Sequence, residues 1–144
     1  MTDETGLRGA AIIPGLRYAD APGAIEWLCA AFGFERHLVV PGENGKIAHA
    51  QLTYRNSMIM LGSGHDGDYD ELLIHPKDAG AVTQAPYVIV DDVDAHCDRA
   101  RAAGAEIIME PADQDYGGRL YSCRDIERHV WNFGSYDPWA ELEH

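Results

Sequence analysis

The amino-acid sequence runs through one plan twice, and that repeat limits what the chain can fold into. In the first half an apolar, extended run over residues 12–18 leads into Asp20-Ala-Pro-Gly and a helical stretch that closes at Phe32-Gly33. In the second half the run 86–90 leads into Asp91-Asp92 and a helical stretch that closes at Ala103-Gly104. Asp20 and the Asp91/Asp92 pair offer side-chain oxygens to the unpaired N–H groups of a first helical turn. Pro22 sits in that turn, where its missing donor costs nothing. Ala24, Trp27, Leu28 and Ala31 recur at helical spacing as one apolar stripe, and Val93, Cys97, Ala100 and Ala103 form a weaker one. Gly33 and Gly104 supply the left-handed residue that ends a helix.

The continuation repeats as well. Residues 34–40 read as a strand ending in the turn cluster 41–45, followed by the alternating run 46–55, a turn at Asn56-Ser57 and a strand over 58–61. In the second half 106–109 is a strand, 111–118 a polar loop, 119–123 a strand, 124–128 a turn and 129–136 the last strand. Each half is β-α-β-β-β. The expected fold is α+β within one domain of 144 residues: two tandem βαβββ modules, 11–62 and 85–139, joined by a segment over 63–84. One helix cannot cover both faces of a sheet, so the modules pack into a curved, partly open mixed β-sheet barrel with helices outside and a cleft inside. The segment 63–84 is either a lid, a dimer arm or a plain connector. Residues 142–144 resemble a purification-tag remnant.

Composition removes several function classes. Lys and Arg number 11 against 24 Asp and Glu, a formal charge of −13, which leaves no basic footprint for nucleic acid. No run approaches the ~18 apolar residues of a membrane helix, and the acidic start is not a secretory signal, so a cytoplasmic protein is expected. Cys29, Cys97 and Cys123 are odd in number and lack CxxC; Cys29 and Cys97 are expected as small buried residues. The acidity would suit a cationic ligand.

Leu16-Arg-Tyr-Ala-Asp20, the run 45–52 (Gly-Lys-Ile-Ala-His-Ala-Gln-Leu), the run 88–96 (Val-Ile-Val-Asp-Asp-Val-Asp-Ala-His) and the run 124–134 (Arg-Asp-Ile-Glu-Arg-His-Val-Trp-Asn-Phe-Gly), set on the paired module plan, resemble the vicinal oxygen chelate superfamily. That group includes glyoxalase I, extradiol dioxygenases, fosfomycin resistance proteins and bleomycin-binding proteins. The resemblance implies four metal-ligand positions, one on each of four strands. Here they fall on Ile13, Met60, Ala85 or Pro86, and Asn132, which are not hard-metal donors. No metal and no cofactor are expected, and no catalytic residue is assigned.

The resemblance puts Met60 on the cleft face, which places Met58 there too, with His49, Gln51 and Thr53 on the neighbouring strand. Arg119 and Tyr121 are expected in the cleft as an anion partner and a stacking surface, with Asn132 beside them. Arg119 has the alternative of pairing with one of the many carboxylates. Trp131 and Phe133 are assigned to the core, His129 to holding a turn, His37 to the surface and His96 to solvent. Two function classes follow. One is a metal-independent binder of a small organic ligand, such as a cationic antibiotic or metabolite, working as a homodimer. The other is an enzyme: a metal-dependent lyase or dioxygenase with non-standard ligands, or an acid–base enzyme using His49. A bare structural module would have its cleft filled.

Overall fold

Asp20 and Asp92 cap the two long helices as their positions predict. The Asp20 carboxylate accepts from the Gly23 N–H, and Asp92 accepts from the Ala95 N–H at 3.0 Å. The computed structural model describes residues 9–63 and 72–140. In chain order the elements are β1 (Gly15–Arg17), α1 (Ala21–Phe32), β2 (Glu35–Pro41), β3 (Ile47–Tyr54), β4 (Ser57–Gly62), α2 (Pro76–Ala79), β5 (Tyr87–Ile89), α3 (Val93–Ala102), β6 (Glu106–Asp113), β7 (Arg119–Arg124) and β8 (Val130–Gly134). Gly33, at φ 84°, closes α1. The expected tag remnant at 142–144 and part of the 63–84 segment lie outside the described residues.

Each module forms one four-stranded mixed sheet, ordered β1-β4-β3-β2 and β5-β8-β7-β6. In both, the first strand runs parallel to the last and the other pairs are antiparallel. The sheets do not close into a barrel. Two details differ from expectation. Strand β6 runs on through Pro111 to Asp113, because bulges within 107–112 take that residue out of the regular ladder. The segment before β5 contains a one-turn helix, α2, started by Pro76 and ended by Gly80 in left-handed backbone (φ 84°).

Both helices bury their stripes in one shared core. Ala21, Ala24, Ile25, Leu28, Ala31 and Phe32 are buried on α1, and Val93, Cys97 and Ala100 on α3. Ala50, Leu52, Ile59 and Leu61 meet them from the first sheet, and Tyr121, Cys123, Trp131 and Phe133 from the second. The assignment of Trp131 and Phe133 to the core holds, and both are fully buried. Cys29 is only half-buried, whereas Cys97 and Cys123 are enclosed. Burial pushes the Cys123 thiol up to about 12.

Polar groups tie the modules together. Asp125, buried in the β7–β8 turn, accepts from the Tyr18 hydroxyl at 2.6 Å and the Trp131 indole N–H at 3.0 Å. Glu127, also buried, accepts the backbone N–H groups of Ala19 and Asp20 at 2.6 and 2.8 Å, a carboxylate placed at the start of α1. Arg99 donates to the Ala30 and Cys29 carbonyls at the other end of that helix. His129 Nε2 donates to the Arg17 carbonyl at 2.9 Å, so its structural role extends from the turn to the module junction.

His96 corrects an expectation: it is not solvated. Its ring stacks on Phe32, with Phe133 at 4.3 Å between ring centroids. The Phe32 carbonyl can only accept, so Nε2 carries the proton (3.1 Å), and Nδ1 takes the Tyr121 hydroxyl at 2.6 Å. Burial holds His96 below the ordinary imidazole range, and Arg99 adds to this. The unfolded chain therefore binds a proton, near pH 6.5, before the folded one does. Stability from the neutral ring is complete above that pH and is lost as pH falls below it. Thermal melts at pH 7.5 and 5.5 will show a drop in wild type that is smaller in His96→Gln; equal drops would remove His96 as the cause.

Candidate functional site

Alternation along β3 and β4 gives the first sheet one covered and one open face. Cross-strand register pairs Gln51 with Met60 and Thr53 with Met58, so these four share the open face with His49. Leu38 and Val40 of β2 join them and stay largely exposed, whereas His37 is left out at the bulge and lies on the surface. The Gln51 amide nitrogen donates to His49 Nε2 at 3.0 Å, which makes the imidazole an acceptor there. His49, Gln51, Met58 and Met60 thus share one open sheet face, and of the four only His49 and Met60 line the hollow described next.

The other three expected residues separate. Strand β7 pairs Ser122 with Asn132 and Tyr121 with Phe133. Asn132 therefore shares the open face of the second sheet with Ser122, while Tyr121 lies on the core face with Phe133. Tyr121 is fully buried and donates to His96, so it offers no stacking surface to a cleft. Arg119 leaves the cleft for the same reason. It follows Tyr121 onto the helix side and pairs with Asp94 of α3 and Asp113 of β6, both at 3.0 Å.

A hollow of about 1060 Å³ lies where the modules meet, so the cleft is not filled. Its floor is the open face of the first sheet at Gly15, His49 and Met60. Its walls are the described part of the connector, Leu72–Ile74 and Pro76–Pro86 in part, and His129 and Val130 at the start of β8. Leu72 and Ile74 are 76% and 64% exposed despite facing it, so the apolar wall is open to solvent. A smaller hollow of about 360 Å³ adjoins it, sharing Pro76, Ala81, Val82 and Val130 and adding Arg124, Arg128 and Glu106.

The charge of these walls departs from that of the chain. Arg17, Lys46, Arg124 and Arg128 line the two hollows, against Glu43 and Glu106 among the described residues. The expectation of a cationic ligand came from the net charge of −13, which is a sum over the surface and not a property of the cavity. In the sequence Arg124 and Arg128 show only as basic residues diluted by neighbouring acids, and nothing there places any of the four in one cavity. Asp125 and Glu127, which set the junction, lie in the run 124–134 that carries the resemblance, where no role is assigned to them, although two acids spaced to flank a turn before a strand of aromatics are an available signal.

The four family metal positions can be tested as donors. Tyr87 pairs with Asn132, so Ala85 and not Pro86 has the face shared with them. Ile13 and Ala85 have no donor atom, and Met60 offers a soft thioether. Asn132 Oδ1 already accepts the Ser122 hydroxyl at 2.6 Å. These side chains do not fit a divalent ion that needs hard oxygen and nitrogen ligands. No group of three or more His, Cys, Asp or Glu among the described residues is placed to hold a metal. No helix among them is long and apolar enough to cross a membrane.

Comparison with known proteins gives consistent results. The family model described as Glyoxalase/Bleomycin resistance protein/Dioxygenase superfamily matches residues 11–133. An uncharacterized protein of Mycobacterium tuberculosis is 32% identical over 124 residues, 86% of this chain and 73% of its own. The crystal structure of TioX from Micromonospora sp. ML1 is similar at 32% identity with a TM-score of 0.69, covering 88% of this chain and 98% of TioX. The fosfomycin resistance protein FosX of Listeria monocytogenes, solved with Mn(II) and sulfate, shares the fold at 15% identity and a TM-score of 0.66, covering 93% and 95%.

Proposed function

Since the chain belongs to the Glyoxalase/Bleomycin resistance protein/Dioxygenase superfamily, we propose that it binds a small organic molecule in the hollow where its modules meet, without a metal, and acts by holding that molecule. The observation that carries this reading is the hollow itself. At about 1060 Å³ it reaches the upper size of small-molecule sites. Its apolar lining comes from Leu16, Met60, Leu72, Leu73, Ile74 and Val82, with His49 as a polar point on the floor. An enzyme of the same superfamily using a divalent ion needs donors that Ile13, Met60 and Ala85 do not provide.

The working form is a homodimer. Both sheets keep a face that neither α1 nor α3 covers, and both carry exposed apolar side chains: Leu38 and Val40 on β2, Tyr87 on β5, Ile108 and Met109 on β6. A second copy is the partner whose matching faces would cover them.

The test uses protein stripped with EDTA and a panel of planar aromatic compounds. A compound present at 100 times its Kd will add about 2.7 kcal/mol to stability, several degrees in Tm. Met60→Trp fills the floor and will abolish the shift while the free protein melts as before. Sedimentation of the same samples will give twice 15.8 kDa. Failure of every compound to shift Tm, or turnover of one that is restored by added metal, would overturn the proposal.

A further inference from the structure

Arg128 occupies a position that its own backbone disfavours. It sits at φ 72°, left-handed backbone in which glycine and asparagine are at ease and arginine is not. The turn imposes this. Asp125 Oδ1 accepts the N–H groups of Glu127 and His129 at 2.9 and 3.0 Å, and the Arg128 N–H donates to the Asp125 carbonyl at 3.0 Å. Asp125 is in turn held by Tyr18 and Trp131, so the stem of Arg128 is set by the core. A strained residue at a cavity is a pointer to function.

The surroundings give the ligand chemistry. Arg128 lines the smaller hollow and has no ion-pair partner among the described residues, in a chain with twice as many acids as bases. Arg124 stands in the same hollow. One of its terminal nitrogens donates to Glu106 at 2.9 Å, which leaves the rest of the guanidinium for another acceptor. Lys46, equally without an ion-pair partner there, faces the larger hollow. Pro76, Val82 and Val130 form an apolar wall common to both spaces.

We propose that the molecule held in this cavity is an amphipathic acid, whose apolar body lies in the large hollow and whose carboxylate, sulfonate or phosphate group is taken by Arg128 and Arg124. This rests on the binding function proposed above. It replaces the cationic ligand that net charge favours, since a guanidinium fork recognises an oxyanion directly and repels a cation.

Two dyes with one skeleton separate the charge from the apolar body: 1-anilinonaphthalene-8-sulfonate, an anion, and N-phenyl-1-naphthylamine, which is neutral. Wild type will bind the sulfonate about tenfold more tightly than the neutral dye, a preference that fades in 0.5 M salt as screening shortens to a few ångströms. Arg128→Gly and Arg128→Asn both suit left-handed backbone, so their melting temperatures will hold while sulfonate affinity falls about tenfold and neutral-dye affinity stays within twofold. Equal affinity of wild type for the two dyes, or unchanged sulfonate binding in both variants, overturns the anionic ligand and leaves the binding function standing. Failure of wild type to bind either dye overturns both.

Discussion

Asp125→Ala will lower the free energy of unfolding by about 4 kcal/mol, the largest loss expected from any single polar residue here. Its carboxylate does two jobs with two oxygens. Oδ1 accepts the Glu127 and His129 N–H groups and so shapes the β7–β8 turn. Oδ2 accepts the Tyr18 hydroxyl from the first module and the Trp131 indole from the second. Tyr18 and Trp131 are fully buried, so alanine strands their donors with no water to replace the acid. Each buried donor left unmade costs about 1–3 kcal/mol.

Asp125→Asn separates the jobs. Its carbonyl oxygen can still serve the turn, but its NH₂ group meets the Trp131 N–H, donor against donor. The expected loss is about 2 kcal/mol, with the turn and its Arg128 intact. Urea denaturation of the two variants checks this. Equal losses would mean that the tie between modules, and not the turn bonds, carries the energy. A loss below about 1 kcal/mol for alanine would mean that water reaches Tyr18.

Local chemistry was legible in the sequence where it depends on a residue and its near neighbours. Asp20, Asp92 and Gly33 acted as their types require, and alternation on β3 sorted Ala50 and Leu52 from His49 and Gln51. What was not legible was which face a separate strand turns inward. Arg119, Tyr121 and Cys123 alternate cleanly, yet alternation names two faces without saying which is covered. The answer came from register: Tyr121 pairs with Phe133, a residue already assigned to the core, and Asn132 pairs with Ser122. Placing Tyr121 and Asn132 on one face was therefore inconsistent with the hairpin that joins them. His96 failed differently. A helical histidine four residues after a charged cap looks exposed, and it is covered only on folding, by Phe32 of the other module and by Tyr121 and Phe133 of its own. The same holds for the cavity charge, because Arg17, Lys46 and the Arg124/Arg128 pair come from three separate places in the chain and converge only on folding.

Phe32→Ala will cost about 4 kcal/mol, and the position explains why the loss is not at the low end for a buried phenylalanine. Phe32 ends α1 in the first module, but its ring contacts Trp131 at 5.4 Å and Phe133 at 4.7 Å in the second, as well as Trp27 at 5.1 Å in its own helix. Its carbonyl receives His96. Alanine empties a space bounded by a helix end on one side and two stacked aromatics of a central strand on the other, since β8 lies between β5 and β7. The strand wall cannot move in without breaking its ladders to β5 and β7, so the void persists and its unmade contacts add to the lost transfer energy. The cost should fall on the junction more than on either module. A double-mutant cycle with Trp131→Ala will therefore return a coupling of about 1 kcal/mol, whereas the cycle with Ile59→Ala on the first sheet will be additive within about 0.5 kcal/mol. Equal coupling in both cycles would mean that the aromatic cluster is ordinary core filling. It would not then be the strut by which the two halves hold the hollow open between them.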